Sequence, residues 1–289
     1  MKRAYAFIIL INLIYAVTAQ SQDHTTMTIM SYNIRLDVAI DGENRWDNRK
    51  ELFAGLIRFH NPIIVGLQEA QRHQLNYLAQ ALPEYQWIGI GREDGKDAGE
   101  IMAILYRKDA VELLRTSTFW CSPTPSSPGL GWDAACNRIV TWGKFRNVKN
   151  RQEFYLFNTH LDHLGVIARK ESAHLLKDSI DAITENLPVV VTGDFNSHPA
   201  DDPYHIITGT TSKRKLRDTF TISRQPHYGP KGTFNGFKLS EYKEQPIDYI
   251  FVSEGTAVLS HGTLTDSFHG RLPSDHFPVI TTIVFDITD

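Results

Sequence analysis

Asn33, Gln68-Glu69, Asn158-Thr159-His160-Leu161 and Gly193-Asp194-Phe195-Asn196 each close a short apolar run, Asp248 interrupts another, and Ser274-Asp275-His276 precedes a last one. Each alone has an ordinary reading, since Asn forms turns, Glu is a solvated charge and Gly-Asp is a turn. Their shared position is informative because packed sheets bring strand ends to a common rim, where loops carry function. Together they offer the carboxylates of Glu69, Asp194, Asp248 and Asp275, the amides of Asn33 and Asn196, and the imidazoles of His160 and His276. Hard oxygen donors without thiolate suit Mg²⁺, Mn²⁺ or Ca²⁺ better than a closed zinc cage. Clustered carboxylates repel one another, and a divalent ion relieves that cost and supplies a Lewis acid. A carboxylate that orients or deprotonates water, with amides and imidazoles donating to developing oxyanions, matches hydrolysis at phosphorus. Ser274-Asp275-His276 is not a serine-hydrolase triad: contiguous side chains splay apart, and no Gly-x-Ser-x-Gly elbow is present.

Alternating strands and helices must position these groups. Residues 27–34 alternate apolar and polar, as a half-buried strand does. Residues 63–67, 101–106, 153–159, 188–193, 247–252 and 278–285 are β-branched or aromatic runs, many separated by turn residues. Residues 47–60 and 166–184 have helical spacing, through Phe53, Leu56, Ile57 and His60 in the first and Ala168, Leu175, Leu176, Ile180 and Ile183 in the second. Strands at 86–90, 101–106, 111–116, 138–146 and 153–159 follow one another without a helix, which predicts an α/β fold of two packed mixed or antiparallel sheets with helices outside. No linker divides the chain, so residues 25–289 read as one domain.

The balance of 30 Lys+Arg against 33 Asp+Glu, a net charge of −3, argues against a protein that coats nucleic acid and against a stable nucleic-acid complex. A polyanion remains possible as a substrate where cations are local or a metal supplies the charge. Met1-Lys2-Arg3, the apolar run to Val17 and the small residues around Ala19 have the pattern of a signal peptide over residues 1–19. The run is short for a membrane span, and no later segment is apolar enough for one. These features predict an exported, periplasmic or extracellular protein. In that compartment Cys121 and Cys136, on either side of a Pro/Ser/Gly-rich loop, are predicted to form a disulfide contributing about 3 kcal/mol.

The ordered series Asn33, Gln68-Glu69, Asn158-Thr159-His160-Leu161, Gly193-Asp194-Phe195-Asn196, Asp248 and Ser274-Asp275-His276 resembles the endonuclease/exonuclease/phosphatase superfamily over nearly the whole mature chain. The resemblance implies a four-layer α/β sandwich and divalent-metal phosphoesterase chemistry with Mg²⁺ or Mn²⁺. It implies Glu69 as the main metal ligand with Asn33 and Asp275 nearby, and Asp194 positioning or activating water. It further implies Asn196 and His160 holding the phosphate, and Asp248 fixing the tautomer of His276. The Asn-Thr-His-Leu segment is similar to sugar- and lipid-phosphate, sphingomyelinase-like and deadenylase/nocturnin-like members, and differs from the abasic-site repair branch. Its extension through Asp162, His163 and Arg169 resembles exported bacterial members of unassigned substrate. Arg169 either reaches the substrate phosphate or is an exposed helix Arg, and Asp162 and His163 are candidates for the rim.

Gly232-Thr233-Phe234-Asn235-Gly236-Phe237 precedes Asp248, and Phe234 and Asn235 there either meet a base or sugar or pack the loop. The set predicts an exported metal-dependent phosphohydrolase that cleaves a phosphomonoester or phosphodiester by direct attack of water. Near-neutral charge favours a small sugar, inositol or nucleotide phosphate. The alternatives are a secreted nuclease, a sphingomyelinase-like phosphodiesterase, and a binding module that has lost the chemistry.

Overall fold

The computed structural model describes residues 25–210, 213–240 and 242–285. Residues 1–19, which the sequence reads as a signal peptide, and residues 286–289 lie outside the described residues.

The first half of the described chain runs β1 (Met27–Asn33), a 3-10 turn (Ala39–Asn44), α1 (Trp46–His60), β2 (Ile64–Gln68), α2 (Arg72–Ala81), β3 (Tyr85–Ile88) and β4 (Ile104–Arg107). Next come β5 (Val111–Trp120), β6 (Ile139–Asn147), β7 (Glu153–His160), α3 (Val166–Ile183) and β8 (Val189–Asp194). The chain then forms α4 (Asp202–Thr208), β9 (Leu216–Asp218), α5 (Thr219–Ile222), β10 (Asp248–Ser253), β11 (Thr256–Thr263) and β12 (Val279–Phe285).

Two six-stranded mixed sheets result, with strand orders β11-β12-β1-β2-β4-β3 and β5-β6-β7-β8-β10-β9. Each contains a single parallel pair, β1 with β2 and β7 with β8, and every other pairing is antiparallel. A parallel pair needs a crossover, which α1 and α3 supply.

The hydrophobic pattern builds four layers. Ile29, Ile64, Phe145, Phe154, Val190, Ile250 and Ile283 fill the space between the sheets. The outer face of the first sheet packs on α1 and α2 through Phe53, Leu56, Ile57, Leu75 and Leu78. The outer face of the second packs on α3 and α4 through Ala173, Leu176, Ile180 and Ile207. Strands buried on both faces read as continuous apolar runs rather than as alternations. The two-sheet α/β sandwich is the architecture the sequence implies.

A polar seam also crosses between the sheets. Gln68 Nε2 donates to Asn158 Oδ1 at 2.7 Å, Thr192 Oγ1 donates to the same oxygen at 3.0 Å, and Asn158 Nδ2 donates to the carbonyls of Leu67 and Ala103. The sheets meet here because residue 66 is glycine; a methyl group at Gly66 would collide with Thr192 Oγ1 and Asn158 Oδ1. Two residues of the polar segments, Gln68 and Asn158, are thus spent on joining the sheets.

The fold departs from the sequence reading in several places. β11, α2, α4, α5 and β9 are additional elements. β11 is an edge strand with a bulge between Val258 and Ser260, which breaks its alternation. The run at 101–106 enters the ladder only from Ile104, because Ile101 bridges Ala70 and Gly91 instead. The disulfide is corrected: Cys121 and Cys136 are free thiols. Cys121 is buried against α3, beside Ser172 and Thr159, while the Cys136 thiol is directed at Asp162 Oδ2, 3.7 Å away.

Candidate active site

The parallel pairs place the polar segments at the same end of the two sheets. In β1/β2 the register sets Asn33 opposite Gln68, so Glu69 leaves beside it. In β7/β8 His160 lies opposite Asp194, and in β8/β10 Asp194 lies opposite Asp248. β12 pairs with β1 from Val279 opposite Ser31, which brings Ser274-Asp275-His276 to the same rim. Strand exits turn sharply there: Arg35, Glu69 and Asn196 have φ of 59°, 62° and 46°. Non-glycine residues adopt that left-handed region at a cost, of order 1–3 kcal/mol, that surrounding contacts must offset.

Those contacts are a continuous network. Asn33 Nδ2 donates to Glu69 Oε1 and to Asp194 Oδ2, both at 3.0 Å, and so spans the two sheets. The backbone N–H of Leu36 holds Glu69 Oε2 at 3.1 Å, and that of Asn196 holds Asp194 Oδ1 at 2.9 Å. Around Asp194 Oδ2 stand His160 Nε2 at 3.5 Å and His276 Nε2 at 3.8 Å. His276 Nδ1 pairs with Asp248 Oδ2 at 2.8 Å. The Asp248 carboxylate thereby fixes which imidazole nitrogen faces the cleft.

Burial and charge separate the titrations of these groups. Asp194 is 1% exposed; burial first, then Asp248, push it up to about 7. Burial alone would lower His276, but the charge and hydrogen bond of Asp248, with Asp194 adding to them, hold it well above its ordinary value. His160 goes the other way, since burial and the nearby Arg138 and His276 cations hold it well below. Burial, with Glu69 alongside, raises Asp275 against the pull of His276 and Arg35. The site therefore sets a cationic His276 and a neutral His160 on either side of a carboxylate whose pKa suits proton transfer near neutrality.

The donor set fits a hard divalent cation at Glu69 and Asp275. Both carboxylates line the cleft. The nearest cation is Arg35, 3.9 Å from Glu69 Oε2 and 3.7 Å from Asp275 Oδ2, beyond good hydrogen-bond distance. Arg35 gives its close contacts to Asp41, at 2.8 and 2.9 Å. Asp194, Asp248 and His276 also converge, but there the 2.8 Å imidazole–carboxylate bond already offsets the charge. Asn33 turns its amide nitrogen toward the two carboxylates and its oxygen toward the Arg35 N–H. In this arrangement it ties Glu69 to Asp194 rather than presenting oxygen to a metal.

The cleft, of about 420 Å³, is lined by Glu69, His160, Asp194, Asn196, Asp275 and His276, with Phe234 as a wall. Asp248 and Asn33 act from behind this lining. Asn196 donates its side-chain N–H groups to His160 Nε2 and the Leu161 carbonyl, so it orients the imidazole. Phe234 lies edge-on to His276, with ring centroids 5.1 Å apart.

Three candidates are not brought to the cleft. Arg169 donates to the Asp162 carbonyl at 2.9 Å and is not a lining residue, because its position on the first turn of α3 directs it back along the preceding loop. Asn235 is buried, its Oδ1 accepting from the Phe237 N–H and its own N–H donating to the Asp275 carbonyl; it shapes the loop. Asp162 is likewise buried, accepting from the N–H groups of Ala135, Leu164 and Gly165 and facing Arg138 Nε at 3.4 Å.

Sequence reasoning missed the cations. Arg35, Arg92, Arg138 and Lys243 also line the cleft, together with Glu100. Arg138 opens the β6 segment one residue before the ladder, and Arg92 pairs with Glu100 at 2.8 Å across a loop. Neither lies in a motif, and only the sheet topology brings them in.

A model of the Endonuclease/Exonuclease/phosphatase family matches residues 30–276. The mannosyl-6-phosphatase of Bacteroides thetaiotaomicron VPI-5482 is 40% identical, with a TM-score of 0.85 over 90% of this chain and 100% of that one. An endonuclease/exonuclease/phosphatase family protein from Bacteroides thetaiotaomicron is 39% identical, with a TM-score of 0.87 over 91% and 99%. The human nocturnin catalytic domain with bound sulfate, 21% identical, shares the fold at a TM-score of 0.70 over 91% and 94%.

Proposed function

The chain belongs to the endonuclease/exonuclease/phosphatase family, whose members are hydrolases of phosphate esters, and we propose that it is an exported, divalent-metal-dependent phosphomonoesterase acting on a small phosphorylated sugar. The observation that carries this reading is the convergence of Glu69, Asp275, Asp194, His160 and His276 in one cleft of about 420 Å³, a size suited to a small molecule. The 40% identity to a mannosyl-6-phosphatase supports a sugar phosphate. Export rests on the leader pattern of residues 1–19.

Glu69 and Asp275 would hold Mg²⁺ or Mn²⁺, which supplies Lewis-acid polarisation of a phosphoryl oxygen when bound. Asp194 orients water and accepts its proton. Cationic His276, held by Asp248, offsets charge gathering on the phosphoryl oxygens. His160, held by Asn196, stands on the opposite side of Asp194. Arg92 and Lys243 add positive charge to the walls, and the Phe234 ring offers a face for a sugar.

A polyanion groove is less well supported, because Arg92 is paired with Glu100 and Arg35 with Asp41. A retired binding module has no need of the buried Asp248–His276 pair. The test is ester hydrolysis with MnCl₂ and MgCl₂, read as phosphate release from mannose 6-phosphate, glucose 6-phosphate and inositol phosphates, as nucleotides from an oligonucleotide, as phosphocholine from sphingomyelin and as p-nitrophenol from bis-p-nitrophenyl phosphate. Turnover highest on a hexose phosphate is the outcome expected; turnover confined to the diesters would refute the monoesterase reading, and none on any substrate would restore the binding module.

A further inference from the structure

A second cavity, of about 390 Å³, lies behind the catalytic histidine. Its walls come from α4, α5, the start of β10 and the loop residues 231, 233 and 244–246, and its floor from β11 and β12. Asp248 stands in the partition. It lines this cavity, while its Oδ2 holds His276 Nδ1 on the cleft side at 2.8 Å. The residue is 2% exposed, and its other oxygen, Oδ1, has no hydrogen-bond partner among the described residues. A buried carboxylate oxygen without a donor carries an uncompensated desolvation cost.

The lining says what would supply the donor. Tyr204, Phe220, Pro246 and Tyr249 make an apolar, largely aromatic wall. Asp218 lies in that wall, accepting from the Phe220 N–H at 2.9 Å and the Tyr204 hydroxyl at 3.0 Å. Burial raises it to about 6, while the Phe220 N–H and the Tyr204 hydroxyl favour its charged form. Glu244 adds a further carboxylate, and Lys231 is the only Lys or Arg among the lining residues. His261 adds no positive charge, since burial and the neighbouring His227 hold it down at about 3. Asp218 and Glu244 against one ammonium, set in aromatic walls beside an Asp248 oxygen without a donor, select for a compact organic cation with an apolar body.

We propose that this cavity is a binding site for a small organic amine, its N–H groups directed at Asp248 Oδ1 and Asp218 and its body lying against Tyr204, Phe220 and Tyr249. A donor on Oδ1 shares the Asp248 carboxylate with His276 Nδ1, so occupancy is felt in the 2.8 Å hydrogen bond on the cleft side; the effect of that on turnover rests on the phosphohydrolase reading, while the binding does not.

The experiment titrates benzylamine and its neutral analogue benzyl alcohol into the full chain without metal or substrate. Saturation-transfer NMR follows binding, and the downfield His276 Nδ1–H resonance follows the partition. Saturable benzylamine binding at least about tenfold tighter than that of the alcohol is expected, the range for a charge-assisted hydrogen bond. Saturation is expected to move the His276 resonance. Asp218→Asn should weaken the amine about fivefold or more. Ala200→Trp, at the exposed rim of the cavity, should abolish binding and leave phosphate-ester turnover unchanged. Equal affinity for amine and alcohol, no binding of either, undiminished binding to Ala200→Trp, or an unmoved His276 resonance at saturation would each overturn the proposal. Loss of the phosphohydrolase reading would instead appear as wild-type protein that binds benzylamine but hydrolyses no ester.

Discussion

Asp248→Asn isolates the charge that makes His276 a cation. The amide keeps an oxygen for the Nδ1–H, so the tautomer and ring orientation survive, while the negative charge 2.8 Å from the ring is lost. Removing one member of a buried ion pair costs about 3–5 kcal/mol; at about 1.36 kcal/mol per unit, His276 should fall by about 2–4 pH units. Burial, which already opposes protonation, then leaves the ring neutral at neutral pH. The assay is a titration of the His276 Cε1–H resonance over about pH 5–10 in chelated protein, beside steady-state kinetics with MgCl₂. We expect a loss in kcat of about 10²–10³, the range for removing one preorganised transition-state contact, with KM moving much less. The wild-type pair also stabilises the fold. A raised histidine contributes fully below its unfolded value of about 6.5 and loses that contribution as pH rises through its folded value. The Tm gap between wild type and variant should therefore narrow at alkaline pH. A His276 that stays protonated at pH ~8 in Asp248→Asn, or a kcat within about threefold of wild type, would refute the reasoning.

Other consequences are equally open to measurement. Asp162→Ala should destabilise by about 3–5 kcal/mol in urea, because it strands Arg138 and three backbone N–H groups; a change below about 1 kcal/mol would show the carboxylate to be dispensable. Backbone donors, against the effect of burial, hold Asp162 down at about 2. Its contribution of about 2 kcal/mol should be complete above about pH 4 and lost as pH falls through 2, an acid limb that Asp162→Ala should lack. Gly66→Ala should cost about 2–4 kcal/mol by forcing apart Asn158 and Thr192, and a midpoint unchanged in urea would contradict the close approach of the sheets. Thiol titration should find one accessible group in native protein, half-buried Cys136, and two after denaturation; none in either state would restore the disulfide.

The amino-acid sequence makes the sandwich legible because its strands are short, apolar and closed by polar residues. The two long helices show through Phe53, Leu56 and Ile57 in α1 and Ala168, Leu176 and Ile180 in α3, all buried where the spacing places them. The Asp248–His276 pair and the gathering around Asp194 follow from strand ends sharing a rim. Three things do not show in one dimension. A buried polar side chain looks the same whether it bonds a substrate or a neighbouring strand, so Gln68 and Asn158 read as chemistry although they join the sheets. The reach of a long side chain depends on its local turn, which folds Arg169 back onto Asp162. Loop cations such as Arg92 and Arg138 become part of the cleft only through β-ladder register. The cysteines mislead for a related reason: proximity in sequence and the oxidising compartment that the leader pattern predicts would permit a bridge, but core packing around Cys121 and the Asp162 contact of Cys136 direct the two thiols to different partners.

The proposed chemistry depends on a divalent cation held at Glu69 and Asp275 beside Asp194. Calorimetric titration of Mg²⁺ and Mn²⁺ into chelated wild-type protein and into Glu69→Gln, with phosphate release recorded on the same samples, tests this directly. We expect stoichiometric binding and metal-restored turnover in wild type, with metal affinity weakened at least about tenfold in the variant. Full turnover in exhaustively chelated wild type, or metal affinity in Glu69→Gln equal to that of wild type, would rule out a catalytic cation at Glu69.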